Sequence, residues 1–107
     1  MKVIVEGDLK ELLLTGKSRK YLRVSRTEKL LNGLRRAVQL MMSVEDADEL
    51  KQFSFLHYER LKYGYSNLSS IRLCNQFVHR LLFEESEDRK RIKLIEIDDS
   101  HYGNKKG

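Results

Sequence analysis

Three short strand-like runs near the end of the chain constrain the fold most. They cover residues 68–73, 78–83 and 92–97, and apolar and polar residues alternate along them. Such alternation is typical of strands that bury one face, because successive side chains of a strand point to opposite sides. If the apolar residues face helices, Arg72 of the first run and Arg80 of the second emerge together on the uncovered face of a sheet.

The two arginines allow two interpretations. A guanidinium can hold a phosphate with two parallel hydrogen bonds and stabilise the charge that develops when the phosphate is attacked. Alternatively, the arginines form ion pairs across the sheet with Glu59, Glu84 or Glu96. The sequence leaves both interpretations open.

Helix signals fill the N-terminal half of the chain. Asp8 and Glu11 match a capping box and Gly16 is a natural stop, whereas Ser25 and Glu28 match a second capping box that would open the longest helix. The apolar positions of that helix recur at the spacing of one buried stripe. The stripe consists of Leu30, Leu31, Leu34, Ala37, Val38 and Met41. Gly33 either weakens this helix or allows it to approach the sheet closely.

The complete pattern predicts an α+β fold. An N-terminal strand and two to three helices pack on one face of a mainly antiparallel sheet of four to five strands. The predicted order is a strand at 1–5, helices at 8–16, 25–42 and about 43–50, and strands at 55–62, 68–73, 78–83 and 92–97.

Length and composition indicate one small domain over residues 1–107, with residues 103–107 as a flexible tail. No window is apolar enough for a membrane span or a secretory signal, so we expect a cytoplasmic protein without membrane contact. The single cysteine, Cys74, cannot form an internal disulfide. No Cys or His pair has metal-ligand spacing, so we expect no metal and no cofactor.

Positive charge is concentrated between residues 17 and 36. This segment has eight basic residues and one acid, a local excess of +7 against +5 for the whole chain. Such segregation attracts polyanions, although a solvated helix face would have the same composition. The first five of these basic residues are Lys17, Arg19, Lys20, Arg23 and Arg26.

A short polar segment after the last strand could supply proton transfer. His101 and Tyr102 can each act as acid or base, and Asp99 could orient the imidazole. A His-Tyr pair near a terminus is also an ordinary feature of a tail. If the chain is an enzyme, arginine, histidine and tyrosine without a metal favour phosphodiester transesterification, in which an RNA 2′-hydroxyl attacks its own phosphate.

At these residues the chain resembles the RelE/ParE superfamily of bacterial toxins, and within it the HigB-like branch known as plasmid maintenance system killer proteins. The resemblance extends over nearly the whole chain and depends on the order and spacing of short motifs. The matching segments are residues 61–62, 70–72, 75–77, 80–83 and 95–97, followed by His101 and Tyr102.

This resemblance implies a type II toxin that cuts mRNA in the decoding site of the ribosome. Arg72 and Arg80 would hold the scissile phosphate, His101 or Tyr102 would act as acid or base, and Lys62 would add charge near the RNA. The basic segment would bind ribosomal RNA through Lys17, Arg19, Lys20, Arg23 and Arg26. A helix-turn-helix antitoxin would neutralise the toxin, and operator DNA would be bound only through that antitoxin. Two alternatives remain open: a ParE-type inhibitor of DNA gyrase that cuts no RNA, and a degenerate toxin that serves as an antitoxin-bound co-repressor.

Overall fold

The computed structural model describes residues 1–61 and 68–99. Within these residues no helix is long and apolar enough to cross a membrane. The elements follow the order β1 (Lys2–Ile4), α1 (Gly7–Thr15), α2 (Leu22–Arg26), α3 (Glu28–Ser43), 3-10 helices Ala47–Gln52 and Ser54–Leu56, β2 (Glu59–Arg60), β3 (Leu68–Arg72), β4 (Arg80–Glu85) and β5 (Arg91–Asp98).

The described strands form one five-stranded sheet in the order β1-β5-β4-β3-β2. The neighbours β2, β3, β4 and β5 pair antiparallel, whereas β1 pairs parallel to β5. The helices lie between β1 and the four later strands in sequence. The predicted α+β class, with N-terminal helices on a mainly antiparallel sheet, is confirmed.

The core lies between the helices and one face of the sheet. In α3 the predicted stripe faces inward, although Leu31 and Val38 at its margins are only half-buried. Gly33 sits where the helix meets the chain just after β3, and a Cβ there would lie 2.1 Å from the carbonyl oxygen of Leu73. The glycine therefore permits the close approach that the sequence suggested. Buried members of this core include Leu9, Leu12, Leu30, Leu34, Ala37, Met41, Ile71, Leu81, Phe83, Ile92 and Leu94.

The helix starts differ from those predicted. Asp8 lies in the first turn of α1 rather than at its N-cap, which is Glu6, and no side chain caps this end. The predicted helix from Ser25 is two helices, because Thr27 adopts an extended conformation between α2 and α3. The carbonyl of Thr27 accepts the first hydrogen bonds of α3, so that helix begins at Glu28. The stop at Gly16 is confirmed, since this residue ends α1 in the left-handed conformation with φ 79°.

The predicted strand over residues 55–62 is largely wrong. Residues Ser54–Leu56 form a 3-10 helix, and His57 follows it in the left-handed conformation with φ 51°. A strand cannot pass through that backbone geometry. Pairing with β3 therefore begins only at Glu59, and β2 has two residues.

A buried carboxylate joins β2, β3, β4 and the turn that follows β4. The Glu85 side chain is 4% exposed, accepts hydrogen bonds from the Tyr58 and Ser69 hydroxyls, and pairs with Arg89 at 3.0 Å. Arg60 lies 3.7 Å from the same carboxylate. Burial favours the neutral acid, but the two hydroxyl donors and the two guanidinium charges outweigh it and lower the pKa of Glu85. The carboxylate is therefore held in its ionised form.

Candidate functional site

The two arginines predicted from the sequence lie directly opposite each other. In the antiparallel register of β3 and β4, Arg72 pairs with Arg80, and on the other side of β4, Arg80 pairs with Asp98 of β5. Both arginines therefore project from the same face of the sheet, as the alternation predicted. Like charges directly opposite on adjacent strands repel each other, so this arrangement needs nearby anions.

Glu59 of β2, which lies on the other side of β3 from Arg80, supplies one of those anions. Its Oε1 lies 3.6 Å from Nη1 of Arg80, and the same nitrogen is 3.5 Å from the Ser70 hydroxyl. Of the pairings that the sequence left open, the structure contains the one with Glu59. The Arg80 side chain keeps 21% of its surface exposed, so it remains within reach of an anion from solvent.

The face that carries the arginines is not uncovered, contrary to the sequence-based expectation. Ser70 and Leu82, which are register partners at its centre, have no exposed surface. Nε of Arg72 is also buried, and in the described part of the chain it has no hydrogen-bond partner. Buried polar groups are nearly always paired, so this donor is a position where a bound anion could complete the hydrogen bonding.

Asp99, predicted to assist catalysis by orienting His101, lies beside His79. Its Oδ2 is 3.9 Å from Nε2 of His79, which precedes β4. Asp98 faces Arg80 across the sheet, and the next residue of a strand points to the other side, so Asp99 lies on the helix side. Together with Lys20 and other residues, the pair lines a cleft of about 220 Å³ between α2 and the end of β5.

The environment of His79 favours its neutral form. Burial lowers the pKa of His79, and the nearby charge of Arg23 lowers it further, although Asp99 and Asp98 act in the opposite direction. The separation of 3.9 Å from Asp99 is longer than a hydrogen bond, so the neutral imidazole is not held by that carboxylate. Nδ1 of His79 is buried and, among the described residues, has no partner. A neutral imidazole in a cleft can accept a proton or bind a polar ligand.

The basic residues predicted to bind RNA divide between two sites. Lys20 and Arg23 line the His79 cleft. The other three, Lys17, Arg19 and Arg26, line a groove on the outer side of the helices, where Arg35 joins them. Arg35 belongs to the basic segment of residues 17–36 but was not predicted to bind RNA.

Lys62, His101 and Tyr102 lie outside the described residues. Of the predicted catalytic residues, Arg72 and Arg80 therefore lie together on one face of the sheet, whereas Asp99 lies on the helix side. The contact of Asp99 with His79 was not predicted from the sequence. Twenty positions separate the two residues, and no local pattern connects them.

Neither a family model nor a curated protein sequence matches the chain. Among solved structures, one similar chain is the YoeB/ParE toxin from Agrobacterium tumefaciens. The two share 15% sequence identity with a TM-score of 0.53, over 92% of this chain and 98% of the other. At this identity the likeness concerns the fold. The arginine pair and the clefts thus lie on a sheet and helices arranged as in that toxin.

Proposed function

We propose that this chain is the toxin of a bacterial type II toxin–antitoxin system and that it cuts mRNA bound to the ribosome. The observation that carries the proposal is the register of Arg72 against Arg80 on the sheet. Two guanidinium groups at one position can hold a phosphodiester and stabilise the additional negative charge of its transition state. The likeness in fold to a YoeB/ParE toxin supports the proposal.

In this mechanism the chain supplies charge and proton transfer while the ribosome positions the mRNA. The 2′-hydroxyl of one nucleotide attacks the adjacent phosphorus, and the 5′-oxygen of the next nucleotide leaves. Arg72 and Arg80 would bind the phosphate oxygens, and His101 or Tyr102 would remove or donate a proton. Asp99 would orient the imidazole of His101.

The remaining parts of the proposal concern partners. A helix-turn-helix antitoxin would neutralise the protein in the cytoplasm, and operator DNA would be reached only through that antitoxin. Ribosomal RNA would be bound by cations, since its phosphates dominate such affinity. The residues proposed for this contact are Lys17, Arg19, Lys20, Arg23, Arg26 and Lys62.

A non-catalytic toxin is the second candidate. Arg80 is already paired with Glu59 and opposite Asp98, an arrangement that would serve the stability of the sheet even without a substrate. The chain would then inhibit DNA gyrase, as a ParE-type toxin would, or persist as a degenerate toxin that acts as an antitoxin-bound co-repressor.

The proposal is tested by primer extension on a reporter mRNA in a bacterial translation extract, with and without ribosomes. We expect ribosome-dependent cuts that Arg80→Ala reduces by about 10²–10³-fold, the usual cost of removing one transition-state donor. His101→Ala would test the proton-transfer role, and Arg91→Ala, which removes an exposed arginine at the far end of β5, is the matched control. Intact mRNA in cells that are still poisoned would reject the nuclease, and a gyrase supercoiling assay would then test the second candidate.

A further inference from the structure

A groove separates the end of α1 and the turn after it from α2 and α3. Its volume is about 630 Å³, within the usual range for ligand pockets. Residues from α1, the following turn, α2 and α3 all contribute to its walls. The short α1 ends at Gly16, and this stop allows the chain to turn away and open the groove.

The walls of this groove are strongly positive. Lys17, Arg19, Arg26 and Arg35 line it, against the single acid Glu11. Arg35 is held in place because its Nη2 donates to a backbone carbonyl of α1 at 3.1 Å. In the part of the chain that the structure describes, none of the ion pairs involves Lys17, Arg19 or Arg26. The groove therefore presents positive charge that is not neutralised locally.

The groove also contains apolar surface. Leu22 of α2 lines it with 45% of its surface exposed, and the half-buried Leu31 of α3 lies alongside. An RNA backbone offers phosphates to the cations but no aliphatic group to cover a leucine. A peptide segment with acidic and aliphatic side chains would satisfy both features.

We propose that this groove docks an acidic segment of a partner protein, with an aliphatic side chain of that segment seated on Leu22 and Leu31. This inference extends the proposed function. It rests on that function in one respect, which is the identification of the partner as the antitoxin. Since Lys17, Arg19 and Arg26 are also the cations proposed to bind RNA, the docked segment would exclude RNA from them. The partner would thus neutralise the protein by occupying its RNA-binding charges.

Fluorescence anisotropy tests the proposal with two labelled probes. One is a peptide that carries glutamates and two leucines at positions i and i+4, and the other is poly(U), which represents RNA. We expect the peptide to bind at physiological ionic strength and to displace poly(U). Arg19→Glu combined with Arg26→Glu should weaken peptide binding at least about tenfold, because it places like charges against the peptide. Leu22→Ala should weaken peptide binding about fivefold and leave poly(U) binding unchanged.

The matched control, Lys2→Glu combined with Arg91→Glu, reverses the charge of two exposed cations outside the groove. It should alter neither the affinity for the peptide nor the affinity for poly(U). Circular dichroism melting confirms that each variant is folded. Equal weakening by the control pair, or no effect of Leu22→Ala on the peptide, would overturn the proposal. Binding of poly(U) without binding of the peptide would assign the groove to RNA instead. Because the assay contains no ribosomes, its result is independent of whether the chain cuts mRNA.

Discussion

Replacing the buried carboxylate of Glu85 tests which contacts stabilise the sheet. Glu85→Gln preserves size but removes the charge and places an amide NH₂ among donors from Tyr58, Ser69 and Arg89. A hydrogen bond to a charged group contributes about 1.5–3 kcal/mol and a neutral one about 0.5–1.5, so three weakened bonds lose roughly 3 kcal/mol. Relief from burying a charge offsets part of this loss. We expect a net destabilisation of about 2–3 kcal/mol.

Urea denaturation followed by circular dichroism measures this free energy of unfolding. At about 4–8 °C per kcal/mol for a domain near this size, the melting temperature should fall by roughly 10–20 °C. Glu84→Gln is the matched control, since Glu84 is adjacent in sequence but exposed, and it should stay within about 0.5 kcal/mol of wild type. Equal stability of the two variants would refute the argument that the Glu85 contacts stabilise the fold.

The same network predicts a dependence on pH. Because the pKa of Glu85 is lower in the folded protein, its ionisation stabilises the fold at pH values above the unfolded pKa of about 4.3. This contribution is lost as the pH falls from there through the folded pKa. The gap in stability between wild type and Glu85→Gln should therefore be full near neutral pH and shrink below about pH 4.3. A gap that stays constant down to acid unfolding would contradict the assignment of the ionised form.

Three further outcomes are expected. Gly33→Ala should destabilise the fold by about 1–3 kcal/mol in urea denaturation, because its Cβ would overlap the carbonyl of Leu73, and an unchanged unfolding midpoint would contradict this contact. His79 should titrate below its ordinary pKa of about 6.5 in an NMR pH series, and a higher value would show that Asp99 outweighs burial. Leu82→Ala should cost about 2–5 kcal/mol, and a loss near zero would show that its face of the sheet is open after all.

The sequence predicted those features that repeat over short distances. Alternation along β3 and β4 was sufficient to place Arg72 and Arg80 on one face, because register in an antiparallel pair brings like-facing residues together. The helical stripe was sufficient to orient α3, whereas the two interpretations of Gly33 were separated only by its contact with the Leu73 carbonyl. Both predictions use periodicity, which the chain carries locally.

Features set by a single unusual residue or by distant contacts were not predictable. His57 ends the expected strand by adopting positive φ, a conformation that the presence of a histidine is not sufficient to predict. Similarly, Thr27 separates two helices without a glycine or proline to signal the break. The pairing of Asp99 with His79 depends on how the segment between β3 and β4 returns to the sheet, so it appears only in three dimensions.

The parallel pairing of β1 with β5 has a consequence for how the molecule is made. The strand that pairs with β1 is β5, far along the chain, so residues 2–4 gain this neighbour only after residues 91–93 have been synthesised. Contacts of such long sequence separation slow folding, and folding during translation proceeds from the N-terminus. Asp98, opposite Arg80, arrives with the same strand. The described sheet and its arginine face therefore assemble only after residues 91–98 have been synthesised and have left the ribosome.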